Sequence, residues 1–329
     1  MAAALLIGVG GHTQGETVDT AAEIESHLGN PGPAFEAGLT PSKLGWGSDS
    51  QPYPDRFVVN PVDGAEMVWV PAGTFRMGST YEEINDLWQA NGWDPRWKQF
   101  ASGEQPAHEV VLTQGFWLYR HEVTNGQHAR FLAATGHEAH RYWDDYKSHE
   151  RLPANWVKWE DASAYAEWAS GALPTEAQWE YAARGPDGRM YPWGGQWDRD
   201  RCNNAEYWAK KSLNTSTAWH VWQSDAHFDG MFTSADVISH LREVGSFPSG
   251  ASWCGALDLA GNVYEWCGDW YGEWYYAASP AEDPSGPPTG DSRVLRGGSL
   301  VLVAHLCRAA DRYHSGPAYY SGLRVARTP

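Results

Sequence analysis

The sequence predicts a loop-rich, aromatic-packed fold of short strands and a few helices, and three observations carry that expectation. Among 329 residues, 20 Trp, 16 Tyr and 9 Phe stand beside 35 Gly and 20 Pro, a balance foreign to helical bundles and disordered chains. Apolar runs of strand length alternate with turn residues. Two Thr-x-x-Gln boxes, each followed by a Gly stop, mark the clearest helices.

Taken in order, residues 1–63 read as an N-terminal extension or attachment segment. Its Ala2–Val9 run reads as a buried strand or docking segment, because no Lys or Arg precedes Lys43 to make the positive start of a secretory signal. Thr20-Ala-Ala-Glu23 would cap a short helix ending at Gly29, and the rest reads as loop. A denser domain covers 64–329. Met67–Val70 and Thr74–Gly78 are strands around the turn Pro71-Ala72-Gly73. Residues 80–105 are a polar, Trp-bearing insertion. His108–Leu112 and Phe116–Tyr119 make a strand pair around Thr113-Gln114-Gly115. The Thr124–Gln127 box opens a helix over His128–Ala134 that stops at Gly136, and the Thr175–Gln178 box opens Trp179–Arg184, stopped by Gly185. Between them Asp161–Ser170 is a helix ending at Gly171. Loops and short strands fill the remainder.

Net charge is −17 with no basic run, which argues against nucleic acid and anionic membrane as partners. No apolar run is long enough to span a bilayer, so no membrane insertion is expected. Cys202, Cys254, Cys267 and Cys307 form no CxxC; a reduced or partly buried state is the expectation.

The stretch from Arg296 to Arg324 is unlike the rest. Between Leu300 and Arg324 there is no Trp, Glu, Gln, Lys or Met, where composition would place about five such residues. Its mixture of apolar, small and aromatic polar residues follows neither a period of two nor one of 3.6. Core-building segments are usually periodic, so this one reads as surface chemistry on a frame set by other residues.

Eight segments in order give the chain a resemblance: MVWVPAGTFRMGS (67–79), GFWLYRHEVTNGQ (115–127), PANWVKWEDASAYAEWA (153–169), LPTEAQWEYAARG (173–185), VGSFP (244–248), LDLAGNVYEWCGDWY (257–271), RGGS (296–299) and GLRVA (322–326). They resemble the formylglycine-generating-enzyme subtype of the C-type lectin fold, which implies an α+β class of helices around small antiparallel sheets. The oxidases of that family use two reactive cysteines shortly after RGGS, which together bind copper; here only Cys307 follows, and a lone thiol cannot make a two-sulfur soft-metal site. Asn262 and Glu265 sit where relatives carry a structural calcium site, and an Asn-capped turn explains them equally well. His137 and His140 have metal-like spacing in a polar stretch and read as a solvated surface pair.

The C-terminal stretch resembles the variable region of diversity-generating retroelement variable proteins, many of which use this fold. Those systems rewrite adenines in template codons of the AAC/AAT type, which cannot yield the five residue types missing here. Leu300 and Leu323 depart from that pattern, which has Trp and Phe there. The resemblance implies a non-enzymatic display protein, without a cofactor apart from that open calcium question. It would be virion-associated or at a cell surface, monomeric, and directed at a protein or other macromolecule on a cell or host. The expected ligand-contacting residues are Val301, Leu302, Val303, His305, Leu306, Asp311, Tyr313, His314, Ser315, Gly316, Tyr319, Tyr320 and Ser321. Tyr offers the most contact area for the fewest torsions frozen. Gly297, Gly298, Arg296, Arg308, Arg312, Arg324 and Pro317 would hold the frame. A family oxidase or metalloenzyme, or a fixed-specificity carbohydrate-binding lectin, are the alternatives.

Overall fold

The computed structural model describes residues 32–225, 233–314 and 320–329. The Ala2–Val9 run, the Thr20 box, Ser315, Gly316, Pro317 and Tyr319 lie outside them.

Among the described residues, two four-stranded sheets and one two-stranded sheet carry the fold. The first orders β1 (Val58–Val59), β2 (Glu66–Val70), β5 (Phe116–Tyr119) and β10 (Ala326–Arg327) as β1-β2-β5-β10. The second pairs β3 (Gly73–Met77) with β4 (His108–Leu112). In the third, β8 (Tyr313–His314), β7 (Arg293–Arg296), β6 (Tyr264–Trp270) and β9 (Ser321–Gly322) are ordered β8-β7-β6-β9. The β6–β9 pairing is parallel.

The apolar runs of β2 and β5 follow from burial on both faces of the first sheet. Alternate residues point opposite ways. Met67, Trp69, Trp117 and Tyr119 enter one core cluster, while Val68, Val70, Phe116 and Leu118 enter another. A strand buried on both sides has to be interior, so β5 pairs with β2 (Met67↔Tyr119) and β10 (Ala326↔Leu118) rather than with β4. This corrects the expected pairing across Thr113–Gly115. β4, whose His108 and Glu109 are partly or fully exposed, goes to β3 instead.

Capping sets the helices. Thr80 and Glu83 make a full box for α1 (Tyr81–Asn91), closed by Gly92 at φ 63°. Thr124 and Gln127 do the same for α2 (Asn125–Thr135), closed by Gly136 at φ 70°. α3 (Trp143–Tyr146) is a single turn, and α4 (Trp159–Trp168) runs ahead of the predicted Asp161–Ser170. Thr175 and Gln178 cap α5 (Glu176–Arg184), which buries Trp179 and Glu180 between the sheets. α6 (Ala205–Ala209), α7 (Ser216–Asp225) and α8 (Ser234–His240) follow in a region read from sequence as loop. Residues 80–105, read as an insertion, are α1 followed by a 3-10 segment over Pro95–Glu104. The described part of the N-terminal extension joins the first sheet through β1, and Phe35 enters its core. Among the described residues no helix is long and apolar enough to cross a membrane.

Candidate functional site

Four buried arginines tie the C-terminal stretch to the body, and Arg296 and Arg308 also bond carbonyls of the loop itself. Arg296 donates to the carbonyls of Ala309 (2.9 Å) and Ala310 (3.1 Å) and to Glu180 (2.5 Å). Arg308 forks onto Glu104 at 2.5 and 2.8 Å, and Arg312 onto Glu176 at 2.6 and 2.7 Å. Arg324 takes both oxygens of Glu265 at 2.6 Å and donates to the carbonyls of Tyr119 and Leu257 at 2.9 Å. Two-pronged carboxylate pairs fix direction as well as distance. Gly297 and Gly298 sit at φ 91° and 75°. A Cβ on Gly298 would lie 2.6 Å from the Leu306 carbonyl oxygen. Gly298→Ala is therefore expected to cost about 1–3 kcal/mol of stability, measurable by urea unfolding.

On this frame the stretch opens into a cleft of about 940 Å³. Val301, Leu302, Val303, Leu306, Asp311, Tyr313, His314, Tyr320 and Ser321 line it, together with Tyr264 and Leu295 from β6 and β7. One wall is the 3-10 segment, through Trp97, Gln99 and Phe100; the facing wall is α7, through Ser216, Trp219, His220 and Gln223. The walls are joined by Asp94, whose carboxylate accepts from the Ser216 amide, while Trp219 Nε1 donates to the Val301 carbonyl at 2.9 Å. Glu104, at the end of the first wall, is the partner of Arg308. Tyr313 stacks on Tyr264 at 5.0 Å between ring centres, and His314 on Tyr271 at 3.9 Å.

The stretch is less of a surface than the sequence suggested. Val301, Val303, Asp311, Tyr320 and Ser321 are all buried, Tyr313 is exposed, and Leu302, Leu306 and His314 lie between. The two walls cover the stretch, and neither was read as part of the site. The Trp-rich run over 88–97 behind the Thr80 box was the signal for the first wall. Burial, with the Glu104 charge next, pushes the Asp311 carboxyl well above the usual carboxylate range, and the nearby Arg308 opposes the shift. His305 is a correction: it does not reach the cleft. Its ring is caged by Trp88, Trp93 and Trp97, stacked on Trp97 at 4.4 Å, and neither ring nitrogen has a hydrogen-bond partner. Burial lowers its pKa to about 3. Leu300 and Leu323, the departures from the variable-region pattern, are fully buried core residues.

The residues do not fit the copper of the oxidases, since none of the four cysteines lines the cleft and all are buried. The proposed calcium pair does not fit either. Both Glu265 oxygens accept from Arg324, and the Asn262 side-chain oxygen accepts from Asn203 and from the Arg242 amide. His137 is not a solvated surface residue but is partly buried, with Nε2 2.9 Å from Asp161. Among the described residues no group of three His, Cys, Asp or Glu is placed to hold a metal.

Residues 54–329 match the sulfatase-modifying factor enzyme 1-like domain. The formylglycine-generating enzyme of Streptomyces coelicolor is 34% identical, over 78% of this chain and 86% of its own. In structure, PvdO from Pseudomonas aeruginosa aligns with a TM-score of 0.60 at 24% identity, covering 84% of this chain and 99% of that one. Treponema denticola variable protein 1 aligns at 0.55 and 20%, covering 82% and 97%. Both solved structures establish the fold, α+β of the formylglycine-generating-enzyme type. The expectation of a chain outside the enzymes is overturned by relatives 29–34% identical over 78–80% of this chain, which are named formylglycine-generating enzymes. On the ordered motifs, the fold and this match together, the chain belongs to the sulfatase-modifying factor enzyme 1-like family.

Proposed function

We propose that the C-terminal cleft binds a macromolecular ligand and that its lining is diversified by a retroelement rewriting adenines in the 3′ coding segment. One observation carries this reading. Ten of the 24 side chains lining the cleft come from the run that lacks Trp, Glu, Gln, Lys and Met, more than from any other segment, while the arginines framing it are buried and bonded. A fixed frame lets many side-chain sets be pre-organised, limiting the ordering cost of binding. By the same resemblance the protein would be displayed on a virion or cell surface, facing a protein of another cell or host.

Two tests bear on it. The locus is expected to hold a near-copy of the 3′ segment, differing where that copy has adenine, beside a reverse transcriptase gene; a locus lacking both defeats the diversification. Trp219→Ala with Tyr313→Ala is expected to weaken capture of the partner by about 2 kcal/mol or more, as for central aromatic contacts, with the melting temperature of the display frame little changed. Unchanged capture on surface-immobilised protein counts against the cleft.

A second reading is favoured by the formylglycine-generating relatives: the cleft holds the substrate of an enzyme. Formylglycine appearing on a Cys-containing peptide incubated with the copper-loaded chain would establish it in place of the first. The absence of a cysteine pair from the cleft weighs against that particular chemistry.

A further inference from the structure

Two of the four cysteines meet beneath the cleft. Cys202 and Cys307 are both buried and share a small core with Ala260, covered by Trp193, Trp197 and Leu302. The two thiols pack together in that core, and the neighbouring Cys202 thiol together with burial raises the Cys307 pKa well above the ordinary thiol value. Close packing surrounds the pair. A Cβ on Gly298 would come within 3.1 Å of the Cys307 sulfur, and Asn204 Nδ2 donates to the Cys202 sulfur at 3.3 Å and to its carbonyl at 2.8 Å. The Ala205 amide, three residues on, donates to the Leu302 carbonyl at 2.9 Å. Leu302 thus covers the sulfurs on one side and lines the cleft on the other. Cys254 and Cys267 belong to a different core cluster.

We propose that Cys202 and Cys307 are a redox site, closed to a disulfide by hydrogen peroxide entering past Leu302, which staples the floor of the cleft to the loop before α6. One thiol attacks the peroxide O–O bond, giving a sulfenic acid and one water. The second thiol displaces the hydroxyl as another water and forms the S–S bond, so the protein loses two hydrogens and peroxide is reduced to two waters. The reaction is slow, because a buried, protonated thiol is a poor nucleophile. A bond joining positions so far apart in sequence restricts the unfolded chain strongly. The site stands whether or not the cleft takes the proposed ligand.

The test treats the folded full-length chain with hydrogen peroxide, then denatures and alkylates it. A non-reducing peptide map is expected to show one linked species carrying Cys202 and Cys307, with Cys254 and Cys267 alkylated. The oxidised protein should melt about 5–10 °C higher and return to the reduced value with dithiothreitol. In Cys202→Ser the same treatment should leave Cys307 as a sulfenic or sulfinic acid, with no rise in melting temperature. Full alkylation of both wild-type cysteines, separate over-oxidation of each, or a link involving Cys254 or Cys267 overturns the proposal.

Discussion

Arg324→Met is expected to lower the unfolding free energy by about 3–5 kcal/mol, because removing one partner of a buried ion pair strands the other. Arg324 is fully buried, and its guanidinium joins β10's approach to two other parts of the chain. It holds Glu265 of β6 by two bonds and reaches the carbonyls of Tyr119 and Leu257. Two further buried carboxyls depend on it. Glu122 is pushed well above the usual range by burial and by the charges of Asp258 and Glu265, and Asp258 is raised to about 6, chiefly by burial; Arg324 opposes both shifts. Without the cation, Glu265 is left with Trp179 Nε1 as a donor beside two acids. Methionine keeps the volume but none of the donors. Urea denaturation of the two proteins at neutral pH measures the loss. A change under about 1 kcal/mol would show that the frame does not depend on these pairs.

Substituting His305 should change how stability responds to acid more than any other single histidine change in the stretch. The ring is neutral in the fold, with its pKa lowered to about 3 by burial first and then by the Arg308 charge; in the unfolded chain it titrates near 6.5. Between those values the unfolded state holds a proton that the folded state does not. Stability from this residue is therefore complete above pH 6.5 and falls as pH drops, at about 1.4 kcal/mol per unit. Between pH 6.5 and pH 4 that amounts to roughly 3 kcal/mol. Asp258 and Asp269, raised to about 6 and about 7, act in the opposite direction, so the wild-type slope alone does not isolate the histidine. His305→Leu does. The leucine protein should gain about 3 kcal/mol on the wild type between pH 7 and pH 4, with little loss at neutral pH because neither ring nitrogen has a partner to forfeit. Parallel stability curves for the two proteins would refute the buried neutral histidine.

Local signals in the chain were read well where the physics is local. The Thr124 and Thr175 boxes closed as expected, each Thr oxygen accepting the third amide while Gln reached back. The same chemistry at Thr80 and Glu83 sits in a polar run whose surroundings read as an insertion, so the box alone does not reveal the helix there. The arginines assigned to the frame found the kinds of partner foreseen for them, loop carbonyls and body carboxylates. Their particular partners could not be read: Glu104 lies 204 residues from Arg308 and Glu176 lies 136 from Arg312.

Sequence by itself determined the family, the ends of the two Thr-x-x-Gln helices, the strands rich enough in apolar residues to be buried on both faces, and the stretch with a chemistry of its own. Each follows from residues close together along the chain or from ordered motifs, so no distant partner is needed to recognise it. Only the tertiary structure decided that β4 leaves β5 for β3, that His305 turns into a tryptophan cage away from the cleft, that Trp97 and Trp219 wall the cleft, and that Cys202 lies against Cys307. These outcomes depend on which distant surfaces close-pack together, and packing at interior density is settled by the whole chain at once.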